Sequence, residues 1–354
     1  MKTTKLLAVA SAVGLAVTLT ACGGGSSSSA SEESLTVTMW GGAAQKAHVD
    51  SYFLPWAESK GVTIKQDSPT DYAKIKAQVE AGQVTWGPTE VEPNFANTAC
   101  EAGLLEKLPQ DILDKAKETG VAEDQIGPCA IPILQYSFTI AYNSDTFPDA
   151  HPTTWAEFFD TEKFPGKRGF WKYATGGMFE AALLADGVAP DQLYPLDIDR
   201  AFNKLDTIKK DIVFFDTGDQ MTQMLASGEA PLVQAWSGRI FQAQQAGEKI
   251  ANEWNDNLVS YDQIVVPKGY PNTELAFEWM RWFLDNLEAQ AADAEASIYG
   301  PASDKALEFV PEEIRKELPG YPSNAESSAG LVDYGYWAEN YDSVTERLNT
   351  WIAQ

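Results

Sequence analysis

One stretch of the sequence brings an aromatic ring and a guanidinium together where a ligand could meet them. The apolar run 231–235 predicts a short buried strand, and Trp236 follows at its carboxyl end. Ser237 is a predicted N-cap, which puts Arg239 in the first turn of the next helix. Ligands of open α/β sheets bind beyond the carboxyl ends of strands, and an anion relieves a cation at a helix N-terminus. We therefore expect Trp236 and Arg239 to contact a ligand; the alternatives are a core tryptophan and an exposed arginine paired with a surface carboxylate.

The same order of strand, aromatic residue and helix occurs near the start of the chain. The run 35–40 alternates at first and predicts a strand that ends in Trp40. Gly41 follows, and its missing side chain lets the backbone approach a ligand closely. A third strand is predicted over 83–86, upstream of Glu90. Glu90 is a candidate partner for an amine, or alternatively a charge at a helix entry.

Strands and helices alternate along most of the chain, which predicts an α/β fold. The strand predicted over 166–173 ends in two aromatic residues, Trp171 and Tyr173, and a helix follows it. The chain of 354 residues is long enough for two packed lobes. We place crossings between the lobes at the predicted strands 136–143 and 259–267.

Composition narrows the function classes. The formal net charge is −25, so nucleic acid is excluded as an expected partner. Apolar residues make up 44% and charged residues 22%, as in soluble globular proteins. An acidic surface serves solubility by default, although it is compatible with a cationic ligand.

The first 34 residues are read as targeting and tether segments. Residues 1–21 have a short basic start and an apolar stretch too short for a good membrane span, which predicts a signal peptide. The tetrapeptide 19–22 resembles a bacterial lipobox and predicts lipidation of Cys22. Residues 23–34 are rich in Gly and Ser and predict a flexible tether. We expect export and a lipid anchor at the outer face of the cytoplasmic membrane; a plain secretory signal is the alternative.

The remaining cysteines and the histidines have simple predicted roles. Cys100 and Cys129 form an even pair in an exported protein, which predicts a disulfide. The only histidines of the sequence, His48 and His151, are expected at the surface. With no Cys/His cluster at ligand spacing, we predict no metal site, no cofactor and no catalytic residue.

Several motifs resemble those of one protein family, the extracellular solute-binding proteins of ATP-binding-cassette (ABC) importers, in the spermidine/putrescine-binding group. The resemblance covers about residues 35–354. Its motifs are Trp40, 100–105, Tyr136, 141–143, 152–155, 225–229, 236–239 and 266–272.

The resemblance implies two α/β lobes with a ligand cleft between them. We assign residues 35–138 plus 265–325 to lobe 1 and residues 139–264 plus 326–354 to lobe 2. The family implies that the lobes close on a small solute and that a membrane permease receives it. A receptor that must close and dock is expected to be a monomer.

Some positions carry the family's binding roles. Trp40 and Trp236 match its cleft aromatics, and Tyr299 resembles a late aromatic of the cleft. Asp262 corresponds to an acidic residue that grips an amine. Where polyamine binders have a pair of acidic residues, this chain has 169–173, so a second amine loses its partner.

Two ligand classes follow. The family prior favours a polyamine such as putrescine or spermidine. Residue chemistry favours an amino-carboxylate such as 4-aminobutyrate, with its carboxylate on Arg239 and its amine on Asp262. In a third reading, Asp262 merely neutralises Arg239. Rival classes are a secreted hydrolase, for instance a glycosidase using two acidic residues, and a sensor or adhesin; no catalytic motif favours the enzyme.

Overall fold

The computed structural model describes residues 33–354; the predicted signal peptide, Cys22 and nearly all of the tether lie outside the described residues. The strands in this range are β1 (Ser34–Thr38), β2 (Thr63–Asp67), β3 (Thr89–Val91), β4 (Ala130–Asn143), β5 (Arg168–Trp171), β6 (Ile212–Phe215), β7 (Leu232–Trp236), β8 (Ile250–Val265), β9 (Gly300–Pro301) and β10 (Ser328–Leu331).

Helices surround these strands. The α-helices are α1 (Gly42–His48), α2 (Leu54–Lys60), α3 (Tyr72–Glu80), α4 (Pro93–Glu101), α5 (Gln110–Glu118), α6 (Trp155–Phe159), α7 (Met178–Ala185), α8 (Ile198–Asp206), α9 (Gly218–Ala226), α10 (Ser237–Gln245), α11 (Thr273–Asp285), α12 (Leu287–Ser297), α13 (Glu312–Arg315), α14 (Pro322–Glu326) and α15 (Tyr334–Ile352). A π-helical turn, Val49–Phe53, joins α1 to α2, and 3-10 helices cover Glu123–Gln125, Pro190–Gln192, Lys209–Asp211 and Asp304–Phe309.

The sheet has two flanks that share two long central strands. Its order is β2-β1-β3-β8-β4-β7-β5-β6, with β10 beside β8 and β9 beside β4. In the first flank, β2, β1 and β3 are parallel; in the second flank, β7, β5 and β6 are parallel. β3 pairs antiparallel with the central strand β8, and β7 pairs antiparallel with the central strand β4. This mixed α/β sheet, flanked by helices in two lobes, confirms the predicted fold class.

The central strands run through both flanks. The carboxyl half of β8 pairs with β3, and the second half of β4 pairs with β7. β4 contains the predicted crossing 136–143, and β8 contains all but the last two residues of 259–267; each strand begins earlier than its pattern indicates. Pairing between them shifts at two places along β4. The lobe boundaries at 138/139 and 264/265 stay a prediction.

Local sequence explains why the site-bearing elements begin where they do. Thr217 and Gln220 form a capping box, which pairs backbone N–H groups at the start of α9 and fixes where that helix begins. The helix α7 starts after Gly177, whose φ of 72° lies in the left-handed region that favours glycine. Both helices follow second-flank strands. The loop before α7 carries Thr175, which donates to Glu92, and α9 carries Asp219, which accepts from Arg239.

Aromatic packing holds the helices against the sheet. In the first flank Phe53 stacks on Trp279 with ring centroids 4.1 Å apart, which joins the π-helical turn to α11. The closing helix α15 starts earlier than the predicted 344–352, and its buried Trp337 packs near Phe179 of α7. Among the helices of residues 33–354, none is long and apolar enough to cross a membrane.

The predicted disulfide is present between Cys100 of α4 and Cys129, which directly precedes β4. It therefore ties a first-flank helix to a central strand, across 29 positions of sequence. By restricting the unfolded chain, a cross-link of this span contributes about 3 kcal/mol to the free energy of unfolding.

Replacing Cys100 and Cys129 by serine is expected to lower the free energy of unfolding by about 3 kcal/mol. Neither cysteine lines the cavity described below, so ligand affinity is expected to stay within about twofold of the parent value. Urea denaturation and calorimetric titration of the same samples measure these two quantities. A large loss of affinity with little change in stability would contradict this assignment.

Candidate functional site

Strand ends from the two flanks meet around one cavity. β1 leads into Trp40 and β3 leads into Glu92, while β5 and β7 end at Trp171 and Trp236. Such carboxyl ends are where α/β sheets bind ligands. The cavity comprises about 460 Å³, counting the part that opens to solvent. It is lined by Trp40, Gly41, Ala44, Gln45, His48, Glu90, Glu92, Leu134, Tyr136, Trp171, Trp236, Arg239, Asp262 and Tyr299.

Most of the predicted ligand contacts are brought together here. Those that line the cavity are Trp40, Gly41, Glu90, Tyr136, Trp171, Trp236, Arg239, Asp262 and Tyr299. Tyr173 does not line it; its ring stacks on Trp171 at a centroid distance of 4.3 Å and supports that wall. Contact of any of these residues with a ligand stays a prediction.

Aromatic rings form the walls. Trp171 stands edge-on to Trp40 at 6.0 Å and to Trp236 at 5.0 Å, so rings from the two flanks interlock. Tyr136 and Tyr299 contribute a second pair, with centroids 6.0 Å apart. Faces of Trp and Tyr attract cations, and their apolar bodies exclude water.

Three carboxyls, which we call the acidic cluster, lie on one side of the cavity: Glu90, Glu92 and Asp262. Side chains two apart on a strand share a face, so Glu90 and Glu92 point the same way. β3 and β8 are antiparallel with Glu90 opposite Ile264; continuing that register sets Glu92 opposite Asp262. All three residues are at most 4% exposed.

Each carboxyl of the acidic cluster is held from one side. The Trp40 indole N–H donates to Asp262 Oδ2 at 2.9 Å, and the Trp40 backbone N–H donates to Glu90 Oε2 at 3.4 Å. Glu92 Oε2 accepts from Thr175 Oγ1 at 2.9 Å and from the Tyr72 hydroxyl at 3.1 Å. No N–H or hydroxyl group of the described residues donates to Asp262 Oδ1 or to Glu92 Oε1, and both atoms are buried. The carboxyls of Asp262 and Glu90 lie within hydrogen-bonding reach of each other. An ammonium in this cavity would give both oxygens a donor.

Burial raises the pKa of every carboxyl in the acidic cluster. It raises the pKa of Glu90 to about 7 and that of Glu92 to about 8. The pKa of Asp262 lies well above its ordinary value, because the group is buried and the Glu90 charge is close. The cluster thus favours a cation that could keep these groups ionised.

The acidic cluster makes the stability of the protein depend on pH. A buried carboxyl with a raised pKa contributes stability that is fully present below its unfolded pKa and is lost as pH rises through its folded pKa. For Glu92 this window runs from 4.5 to about 8. Without ligand, we expect the free energy of unfolding to fall between about pH 5 and about pH 8. Urea denaturation across this range measures it, and a Glu92→Gln variant should show a shallower fall. A free energy of unfolding that rises across the window would contradict the raised pKa values.

Arg239 brings a positive charge to the same cavity as the acidic cluster. It is the third residue of α10, in a first turn that contains no acidic residue, and it is only 6% exposed. One guanidinium nitrogen, Nη2, donates to the Gly41 carbonyl at 3.0 Å, and Nη1 donates to Asp219 Oδ1 at 3.2 Å. Its Nε–H donates to no acceptor in good geometry within residues 33–354, although the Tyr299 hydroxyl lies within hydrogen-bonding reach of the guanidinium. Burial raises the pKa of the Tyr299 hydroxyl to about 12, and the nearby Arg239 charge opposes that rise.

These contacts decide between the alternatives for Arg239. The arginine is buried, so an exposed surface arginine is wrong, although its partner Asp219 is a largely exposed carboxylate. Within residues 33–354 the ion pair of Arg239 is with Asp219 and not with Asp262, whose Oδ2 accepts from the Trp40 indole. Ser237 does not cap α10: it is the first helical residue, and its hydroxyl accepts the backbone N–H of Ser137.

Two glycines allow the guanidinium to sit against the first flank. A side chain at Gly42 would start 2.6 Å from Arg239 Nη1, and one at Gly218 would start 2.9 Å from Arg239 Cζ. Gly42 also has a φ of 68°, which is strained for other residues. Arg239 therefore depends on both glycines for its position between the flanks.

His48 is a lining residue that sequence reasoning placed wrongly at the surface. It is 1% exposed, and its Nδ1 lies 2.7 Å from Asp293 Oδ1 of α12. Its ring stacks against Tyr52 and Tyr299. The carboxylate compensates the buried ring, which no local sequence pattern signals. His151 is half-buried beside Glu253.

Other lining residues also escaped the sequence analysis. Glu92 follows Glu90 by two positions, a spacing that signals a shared face once a strand is recognised there. Because the third strand was predicted at 83–86 rather than at Thr89–Val91, that signal was lost. Glu90 therefore lies on a strand, and its reading as a helix-entry charge is wrong. Ala44, Gln45 and Leu134 lacked any chemical signal.

Comparison with known proteins decides the family. Residues 55–320 match the model of the bacterial extracellular solute-binding proteins, which is most of the chain. The chain belongs to this family. Its members are solute-binding receptors of ABC transporters, exported to the periplasm or cell surface, and this is the role of the present protein. The resemblance noted in the sequence is confirmed at this level.

Individual relatives cover nearly the whole chain. The gamma-aminobutyric acid-binding protein of Pseudomonas aeruginosa is 35% identical over 329 residues, which are 91% of this chain and 92% of that protein. A solved GABA receptor is 40% identical with a TM-score of 0.82, covering 91% of this chain and 98% of the other. The binding protein AgtB of A. tumefaciens R10, solved with agropinic acid, is 32% identical with a TM-score of 0.82, covering 91% and 99%.

Proposed function

We propose that this receptor captures a zwitterionic amino-carboxylate such as 4-aminobutyrate and delivers it, chemically unchanged, to a membrane permease. One observation carries the proposal: a single cavity is lined by a buried guanidinium and by a buried acidic cluster in which two oxygens accept from no N–H or hydroxyl group of the described residues. A ligand with one carboxylate and one ammonium satisfies both.

The carboxylate end of the ligand is assigned to Arg239. A guanidinium binds a carboxylate with charge-assisted hydrogen bonds, and burial strengthens them. The N-terminus of α10, where Arg239 lies, adds a favourable field for an anion. The present partner Asp219 is 73% exposed, so solvent screens that ion pair and a buried ligand carboxylate can outcompete it.

The ammonium end is assigned to the acidic cluster. Asp262 Oδ1 is an unpaired acceptor whose other oxygen is fixed by Trp40, so the group is oriented before the ligand arrives. The aromatic walls add cation–π attraction of up to about 2 kcal/mol per ring in a dry site. Micromolar affinity needs only about −8 kcal/mol in total, which these contacts can supply.

A polyamine such as putrescine is the second candidate. The observation in its favour is Glu92, a further carboxylate of the acidic cluster that the sequence analysis lacked. Against it, the second ammonium of putrescine would have to lie near the buried Arg239 charge, where like charges repel. The names of the relatives, which bind gamma-aminobutyric acid or agropinic acid, also support an amino-carboxylate.

The remaining parts of the proposal concern anchoring. We infer that Cys22 carries lipid and tethers a monomeric receptor to the outer face of the cytoplasmic membrane, near its permease. Its support is the lipobox-like tetrapeptide followed by a slack tether. The site has no assigned catalytic role, and the ligand is expected to be released without turnover.

Calorimetric titration of the lipid-free protein with 4-aminobutyrate, putrescine and spermidine tests the proposed function. We expect 4-aminobutyrate to bind with a Kd of about 10 μM or below, and putrescine to bind at least about 30-fold more weakly. Putrescine also has a chain of four carbon atoms, but it carries a second ammonium where 4-aminobutyrate has its carboxylate. Equal or tighter putrescine binding would contradict the amino-carboxylate assignment.

Binding is expected to depend on pH through the acidic cluster. An ammonium stabilises ionised carboxylates, so it lowers the pKa of groups that stand near 7 for Glu90 and near 8 for Glu92, and protons leave on binding. Affinity for 4-aminobutyrate should therefore rise between about pH 6 and about pH 8, by up to about tenfold per pH unit for each proton released. Titrations in two buffers of different ionisation enthalpy measure the released protons. An affinity for 4-aminobutyrate that falls between about pH 6 and about pH 8 would contradict the proposed binding of the ammonium to the acidic cluster.

A further inference from the structure

We propose that Glu92 and Asp262 together select a primary ammonium over a methylated one. The inference rests on the proposed function and narrows it: the ligand's nitrogen is an –NH3⁺ group with three donors. Methylated amines and betaines, which carry the same charge with fewer or no donors, are rejected by the site.

Glu92 and Asp262 are neighbours in the cavity lining, and the Asp262 charge helps to raise the pKa of Glu92. Pairing between β3 and β8 ends at Val91 and Gln263; continued by one residue, it would set Glu92 opposite Asp262, where Cβ atoms are about 5 Å apart. Each residue has one buried oxygen, Glu92 Oε1 and Asp262 Oδ1, that accepts from no N–H or hydroxyl group of the described residues. We infer that one ammonium nitrogen lies between them, donates to both, and replaces the contact between Asp262 and Glu90.

The direction of Glu92 Oε1 is fixed by the contacts of its other oxygen. Thr175 Oγ1 and the Tyr72 hydroxyl both donate to Glu92 Oε2. Tyr72 belongs to α3 in the first flank, whereas Thr175 lies in the loop between β5 and α7 in the second. The carboxyl is therefore positioned by both flanks, and its unpaired oxygen is left for the cavity.

The aromatic walls alone would give the opposite preference. Cages of Trp and Tyr bind quaternary ammonium well, because attraction to ring faces requires charge and no donor. A quaternary group would, however, leave two buried acceptors unpaired, and sites built to hydrogen bond a donor strongly reject analogues that lack it. The unpaired oxygens therefore decide the selectivity.

Calorimetric titration with 4-aminobutyrate and its N-methyl, N,N-dimethyl and N,N,N-trimethyl derivatives tests this inference. In the unmodified chain we expect affinity to fall with each methyl group, and the trimethyl compound to bind at least about 100-fold more weakly. If 4-aminobutyrate and all derivatives fail to bind, the proposed function falls, and the inference with it. If the parent and trimethyl compounds bind equally, the proposed function stands and the inference is overturned.

A Glu92→Gln variant separates hydrogen bonding from size, since the two side chains have nearly the same volume. Thr175 and Tyr72 donate to the group, so the amide oxygen should face them and the amide N–H the cavity. We expect 4-aminobutyrate to weaken at least about 30-fold and the trimethyl compound less than about threefold. An unchanged ratio between these ligands would overturn the inference.

The matched control is Glu180→Gln. Glu180 is fully buried on α7 and also has an unpaired oxygen, Oε2, but it contacts Tyr194 and Trp337 and does not line the cavity. The affinities of the Glu180→Gln variant for 4-aminobutyrate and its methylated derivatives should equal those of the unmodified chain. A second variant, Thr175→Val, keeps the Glu92 carboxyl but removes one donor that fixes its orientation. It should also reduce the ratio of affinities for 4-aminobutyrate and its trimethyl derivative. Selectivity that does not change in Thr175→Val would count against the fixed orientation of Glu92.

Discussion

Replacing Arg239 by alanine is expected to weaken 4-aminobutyrate binding at least about 100-fold, because truncating one partner of a buried charge pair costs about 2–5 kcal/mol. The ligand carboxylate would then be buried without a cation. Putrescine affinity should stay the same or improve, since the substitution removes a like charge from the cavity. Calorimetric titration with both ligands measures this reversal.

Arg200→Ala is the control for this substitution. Arg200 of α8 also donates to an aspartate, Asp186 at the end of α7, but this ion pair is half exposed and neither residue lines the cavity. Its loss should leave both affinities unchanged. If Arg239→Ala and Arg200→Ala behave alike, or if putrescine weakens as much as 4-aminobutyrate, Arg239 does not bind a carboxylate.

Asp262→Asn is expected to weaken every ligand that carries an ammonium, again by at least about 100-fold. Asparagine has almost the same shape, and its carbonyl can still accept the Trp40 indole N–H. The lost charge and the misplaced N–H donors therefore account for the effect. Because Asp262 has a raised pKa, the variant should also unfold at higher denaturant concentration at about pH 8.

Asp256→Asn on the same strand is the control. Asp256 is half-buried, lies outside the cavity lining and has a φ of 54°, which asparagine tolerates. Titration of 4-aminobutyrate should give the parent affinity for this variant. Retained 4-aminobutyrate binding in Asp262→Asn would mean that the ammonium lies elsewhere.

The parts of the site that local patterns determine were predictable from the sequence. Each strand-to-helix transition of the chain places its residues at the carboxyl edge of the sheet, independently of how distant elements pack. Such transitions contain Trp40, Trp236 and Arg239. Cys100 and Cys129 were predictable because an exported chain with two remaining cysteines pairs them.

Two carboxyls of the acidic cluster, Glu90 and Asp262, were predicted and the third, Glu92, was not, because its place depends on pairing between distant strands. Glu92 comes near Asp262 because β3 pairs with β8, and the register of two distant strands cannot be read from local sequence. A short strand such as β3 is also hard to recognise between apolar and polar residues. The stretch 169–173 contains no acidic residue, as the sequence shows, and Glu92 supplies a third carboxyl to the cavity beside Glu90 and Asp262.

Tertiary compensation explains the errors at buried polar residues. His48 is polar and was expected at the surface, but Asp293 from α12 meets its ring and makes burial possible. Arg239 was open to a surface assignment for the same reason. Its burial depends on Gly42 and Gly218, which lie far from it in sequence.

A crystal structure of the complex with 4-aminobutyrate tests the central claim most directly. It should place the ligand carboxylate about 3 Å from the Arg239 guanidinium and the ammonium about 3 Å from the unpaired oxygens of Asp262 and Glu92. A reversed ligand, or one bound outside the cavity between Trp40 and Trp236, would contradict it.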